Sequence, residues 1–120
     1  MQDFRDLLVW VKAHDATLAV YRYTQTFPSD ERFGLTFQIR RAAVSVASNI
    51  AEGSGRRSDA DFARFLSIAF GSASEVEYQA LLARDLGYMS DSEHQEIRDR
   101  LSEVKRMLSS LIKRLTTENR

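Results

Sequence analysis

Apolar residues return every three or four positions in four stretches of this chain, and that spacing is the mark of amphipathic helix. The first stretch runs from about Phe4 to Thr24, with Phe4, Leu7, Leu8, Val11, Leu18 and Tyr21 at helical spacing and Trp10, Ala13 and Val20 widening the arc. Phe27-Pro28-Ser29 ends it, because Pro28 disfavours helical geometry in the residue before it. The second stretch is expected to open with Ser29 as N-cap and Asp30 and Glu31 in its first turn, where acids complement the helix dipole. Its face is Leu35, Ile39, Ala42, Ala43, Val46 and Ile50, and the glycines of Asn49–Gly55 suggest a loop there.

The third stretch starts at Ser58 with Asp61 three residues on, a variant capping box. Phe62, Phe65, Leu66, Ala69, Ala73, Val76, Ala80 and Ala83 form its face, and Phe70, Tyr78, Leu81 and Leu82 a second stripe. Gly71, inside this run, is expected to be crowded by a neighbouring helix, and Gly87 to close the helix. Ser90-Asp91-Ser92-Glu93 is a regular capping box. Ile97, Leu101, Val104, Leu108, Leu111 and Leu115 then alternate by fours and threes, as a coiled-coil seam does. Four helices, at roughly 4–25, 30–52, 59–86 and 91–116, with short connections predict an all-α, antiparallel, up-down-up-down four-helix bundle occupying 1–120 as one domain.

Composition narrows what such a bundle does. There is no cysteine, which removes disulfides, thiolate metal sites and cysteine nucleophiles. The acidic start Met1–Asp6 lacks a signal peptide's apolar core, and no apolar run approaches membrane-spanning length, so a cytoplasmic protein without a membrane partner is expected. The 17 basic residues are balanced by 17 acidic ones, so an anionic partner would need a local patch rather than bulk charge. Arg40-Arg41 and Arg56-Arg57 are the two Arg-Arg pairs, and they flank the expected Asn49–Gly55 loop. They are candidate phosphate contacts, with Lys12 as a weaker fifth. The opposing interpretation pairs them with Glu52, Asp59, Asp61 or a neighbouring subunit. The mixed pairs Lys105-Arg106 and Lys113-Arg114 lie far from that loop in sequence.

Chemistry finds less support. His14 and His94 are isolated, with no Glu-x-x-His pair of the kind a di-iron bundle uses. Asn49 and Glu52 fit helix-end and ion-pair roles better than catalytic ones. No phosphate-cradling glycine loop occurs. No enzyme activity, metal or cofactor is expected. The aromatic set Tyr21, Tyr23, Phe27, Phe33, Phe37 and Phe70 exceeds what the core requires and supplies candidates for an oligomer interface.

The run from Gly34 to Gly53, containing Arg40-Arg41-Ala42 and Ser48-Asn49-Ile50-Ala51-Glu52-Gly53, resembles the signature of the 23S rRNA intervening-sequence protein family, the four-helix bundle proteins. Val9–Ala13, Phe27-Pro28 with Glu31, and Phe62-x-x-Phe65-Leu66-x-x-Ala69-x-Gly71-Ser72 fit the same pattern, so the likeness covers roughly Phe4 to Leu115. The resemblance implies a cytosolic bacterial bundle that assembles as a ring-shaped homopentamer. It also implies kinship with the accessory proteins of diversity-generating retroelements, which bind nucleic acid and a reverse transcriptase. Two functions are expected from residues and resemblance together. One is a non-enzymatic oligomer binding RNA or DNA through repeated Arg-lined surfaces. The other is a protein-interaction scaffold, for a partner such as a polymerase, without nucleic-acid affinity.

Overall fold

The structure, a computed structural model, describes residues 3–117. These form α1 (Leu8–Thr24), α2 (Leu35–Ser54), α3 (Asp59–Asp85) and α4 (Asp91–Thr117), with short 3-10 turns at Phe4–Asp6 and Ser29–Glu31 and no strand among the described residues. Cross-helix contacts give the topology. Thr17 donates to the Ala43 carbonyl (3.2 Å) while Arg40 donates to Thr24 (2.8 Å), so α1 and α2 run in opposite directions. Ser45 meets Ser72 while Gly53 meets Phe62 and Phe65, which reverses α3 against α2. Tyr23 donates to Glu96 and Lys12 faces Glu103 at 3.4 Å, so α4 closes on α1, also antiparallel. Each helix packs chiefly on its two neighbours around a square, as expected of an up-down-up-down bundle.

The ends of α3 and α4 follow the sequence signals. Ser58 Oγ accepts from the Asp61 amide at 3.1 Å, and Ser90 and Glu93 cap each other reciprocally at 2.9 and 3.1 Å. Gly87 takes φ +81°, its amide bonds the Arg84 carbonyl at 2.9 Å and Tyr88's bonds that of Ala83 at 2.8 Å. That is a Schellman close, which needs the left-handed conformation glycine tolerates. Ile97, Leu101, Val104, Leu108 and Leu115 are buried along α4's seam.

Four expectations are corrected. First, α1 begins at Leu8, after extended Leu7 separates it from the 3-10 turn. Its core face is Val9, Ala13, Ala16, Ala19 and Val20, whereas Leu8, Val11, Leu18 and Tyr21 are exposed. Small side chains let the neighbouring helices come close, and the larger ones are displaced outward. Second, Ser29 does not cap α2. Ser29–Glu31 is a separate 3-10 turn, α2 starts at Leu35, and Glu31 Oε1 accepts the Leu35 amide at 3.0 Å. Third, Asn49–Ser54 is helix, not loop. Gly53 is buried where α2 crosses α3, and a Cβ there would stand 2.8 Å from Phe65 Cβ and 2.9 Å from Phe62 Cδ1. Fourth, Gly71 is not crowded; a Cβ on it would meet nothing within 4 Å.

Candidate nucleic-acid interface

Arg40 and Arg41 sit in the first half of α2, and neighbouring positions on a helix point about 100° apart. Arg40 therefore turns toward α1. Its Nε donates to Thr24 Oγ1 at 2.8 Å and its guanidinium lies 4.7 Å from the centre of the Tyr21 ring. Thr24 is buried, and its hydroxyl also donates to the Tyr21 carbonyl at 3.2 Å. Arg41 points outward and has no hydrogen bond or ion pair among the described residues. With Tyr21, Arg32, Phe37 and Val44 the two arginines line a shallow groove of about 320 Å³ between α1 and α2.

The second pair lies elsewhere. Because α2 continues to Ser54, Arg56 and Arg57 stand some fifteen residues beyond Arg41, about 22 Å along the helix direction. The pairs occupy opposite ends of α2 and do not make one patch within a chain. Arg56 is held between Glu52 (3.7 Å) and Asp61 (3.8 Å), with its guanidinium 4.6 Å from the Phe65 ring centre. Arg64 binds Asp61 at 3.0 Å, and its guanidinium also lies against the Phe65 ring, 4.5 Å from its centre. Arg57 is exposed and unpaired among the described residues. Lys12 pairs with Glu103. Of the five candidate phosphate contacts, Arg41 and Arg57 are therefore left open, and Arg40, Arg56 and Lys12 already have partners in the chain.

The aromatic candidates divide the same way. Phe27 is in the core, its ring 5.6 Å from that of Tyr88. Tyr23 donates to Glu96 and packs on the core, as Phe70 does beneath Lys105 Nζ at 4.9 Å. Tyr21, Phe33 and Phe37 remain open, Phe33 being 81% exposed. Phe37, Arg41 and Val44 follow one another on the outward face of α2 at spacings of four and three, and Val11, Leu18 and Tyr21 do so on α1 at spacings of seven and three. Large apolar side chains thus border the arginine groove on both helices.

Glu96 is the hub of a polar cluster between α1 and α4. It accepts from Tyr23, binds Arg100 Nε at 2.9 Å and faces Arg22 at 3.6 Å. The Tyr23 hydroxyl, followed by Arg100, holds its carboxyl below the usual carboxylate range. His14 stacks on Trp10 at 4.9 Å and His94 is buried in the first turn of α4. No three metal-ligating side chains among the described residues converge on one point. No helix among them is long and apolar enough to cross a membrane.

A third basic group, the mixed pairs of α4, is far in sequence from the α2–α3 connection. The antiparallel fold brings it closer: Lys113 and Thr116 lie across a groove from Ser67 and Phe70, in the half of α3 next to that connection. Arg106, Lys113 and Arg114 are all exposed. The signal was available as a run without acids from Val104 to Thr117, but only the direction of α4 gives it a place.

Residues 5–110 match the family model of the 23S rRNA-intervening sequence protein. The chain belongs to this family. A crystal structure of a protein of unknown function from the S23 ribosomal protein family of Bacteroides thetaiotaomicron shares its fold, with a TM-score of 0.81 and 28% identity over 88% of this chain and 99% of that one. No curated protein matches the sequence. In this member of the 23S rRNA-intervening sequence family, the Arg40–Gly53 block works largely as framework. Arg40 ties α2 to α1, and Asn49 Nδ2 donates to the Ser45 carbonyl (2.8 Å) and Oγ (3.0 Å). Ser45 Oγ meets Ser72 Oγ at 2.9 Å, and Gly53 admits the phenylalanines of α3.

Proposed function

We propose that this protein is a non-enzymatic, self-associating bundle that presents arginine-bearing surfaces to RNA or DNA, multiplied by its own assembly. The observation that carries this reading is the outward strip of Leu18, Tyr21, Phe37 and Val44 with unpaired Arg41 among them. Exposed apolar side chains gathered on adjacent helices are what a protein contact covers. Covering them in a homo-oligomer, a pentamer by family likeness, sets copies of Arg57 at fixed distances. Several weak phosphate contacts on one rigid body then act together. The test measures native mass with and without nuclease, alongside a titration of labelled structured RNA. A monomer at micromolar concentration, or no RNA binding at 50 mM salt, refutes the respective half of the reading.

The scaffold alternative has an observation of its own. The net charge is zero, and Arg40, Arg56 and Lys12 are engaged inside the chain. On that reading the bundle is an accessory subunit for a protein such as a polymerase. Recovery of one protein partner that survives nuclease treatment, without RNA binding by the purified bundle, selects it.

A further inference from the structure

The last twelve residues of α4, Arg106 to Thr117, present an outward surface unlike those of the other helices. Arg106, Ser109, Ser110, Lys113, Arg114 and Thr117 are all exposed. At 100° per residue they fall within an arc of about 140°, and they span about 16 Å along the axis. Each is a hydrogen-bond donor, three are cations, and no Asp or Glu occurs from Val104 to Thr117. None of the three cations has an ion pair among the described residues. By contrast Lys105, on the inward flank, is bound to Glu77 at 2.9 Å.

Arg106 and Lys113 are seven residues apart and so lie on one line, about 10 Å from each other, with serine hydroxyls between them. Shallow grooves flank the ridge. One, toward α1, is lined by Leu7, Leu8, Met107 and Leu111; the other, toward α3, by Ser67, Phe70 and Ile112.

Helix electrostatics explains part of this surface but not all of it. Cations are favoured in the last turn by the macrodipole, which accounts for Lys113 and Arg114. Arg106 is three turns from the end, beyond that effect, and the dipole gives no reason for the serines. Asp6, ahead of Leu7, forms no ion pair with Arg106 or Arg114. The ridge carries no apolar side chain of its own to insert into a lipid surface, which a membrane-binding helix needs. A row of Arg, Lys and Ser donors suits the regularly spaced oxygens of a phosphodiester backbone.

We infer that this donor ridge, rather than the Arg40-Arg41 groove, is the principal docking surface for the phosphate backbone of a nucleic acid. The inference rests on the nucleic-acid reading above and moves its main contact to α4. The interaction is sequence-independent, since the ridge is straight, lies on a helix packed in the bundle and offers only phosphate-type donors.

The experiment is a fluorescence-anisotropy titration of a labelled RNA hairpin between 50 and 200 mM salt. It compares the full chain, the triple variant Arg106→Gln/Lys113→Gln/Arg114→Gln, and the pair Arg41→Gln/Arg57→Gln. All five positions are exposed and glutamine is a good helix former, so the fold persists, as circular dichroism will verify. The triple variant is expected to bind more than tenfold more weakly at 50 mM salt. Its log–log salt dependence should be shallower by about two, since each lost phosphate contact removes about 0.7–0.9 from the slope. The Arg41/Arg57 variant should lose clearly less affinity than the triple variant, by at least threefold. A triple variant that binds like wild type overturns the inference. If the Arg41/Arg57 pair then takes the loss, the nucleic-acid reading still stands. A wild-type chain that binds no RNA at 50 mM salt overturns both. Wild-type binding to phosphatidylserine vesicles but not RNA, lost in the triple variant, overturns it in favour of a membrane surface.

Discussion

Gly53 and Phe65 approach so closely where α2 crosses α3 that a Cβ on the glycine would stand 2.8 Å from the phenylalanine's own Cβ. A Cβ is anchored to its backbone and cannot swing aside. Gly53→Ala therefore forces the helices apart, and overpacking of this kind costs about 1–3 kcal/mol. Alanine's better helix propensity returns up to about 1 kcal/mol. A net loss of about 1 kcal/mol is expected in urea unfolding; a stabilised variant would show that the crossing is not tight.

Gly71 gives the opposite sign. It is mid-helix, exposed, and has open space where a Cβ would go. Gly71→Ala should raise stability by about 0.5–1 kcal/mol, the ordinary gain for this change in a helix interior. If mass measurements show assembly lost in the same variant, position 71 lies under a partner.

Acid should act through Glu96. Its carboxyl is held below its unfolded value by Tyr23 and then Arg100. A group depressed by folding contributes stability that is present above its unfolded pKa, near about 4.3, and lost as pH falls through the folded value. Glu96→Gln should cost up to about 1 kcal/mol at pH 7, as a partly exposed charge cluster does. The difference from wild type should shrink below about pH 4. Unfolding curves at pH 7 and pH 3 test this, and an unchanged difference would refute it.

The two arginines of one pair should separate cleanly. Arg40→Ala removes the bond to buried Thr24 and the Tyr21 contact, at a cost of about 1–2 kcal/mol. Arg41→Ala should leave the melting temperature within about a degree, because surface changes away from such features are near neutral. Equal losses at both positions would contradict the assignment.

Tyr21→Ser with Phe37→Ser removes exposed rings that the core does not need. Native mass is expected to fall to that of the monomer while circular dichroism stays helical. Retained assembly would move the interface off the α1–α2 strip.

Much of this bundle was legible in its sequence, and the failures share a cause. α4 declares itself through Ser90, Glu93 and a regular row of large aliphatics, since its buried positions are also its bulkiest. In α1 the relation inverts: Ala13, Ala16 and Ala19 are buried and Leu18 is not, so ranking positions by size selects the wrong face. Gly53 suggests a chain break when taken alone, yet it is helix, because only the partner's phenylalanines explain the missing side chain. The candidate site was harder still. Nothing local distinguishes Arg40 from Arg41, and their roles diverge only once α1 lies beside one of them.

Glu31 has a wider consequence. One of its oxygens receives the Leu35 amide and the other the Tyr88 hydroxyl at 3.1 Å, 57 residues along the chain. That acceptance favours the neutral phenol and raises the Tyr88 pKa. Any displacement of Glu31 breaks both bonds at once, so the start of α2 and the turn before α4 should loosen together.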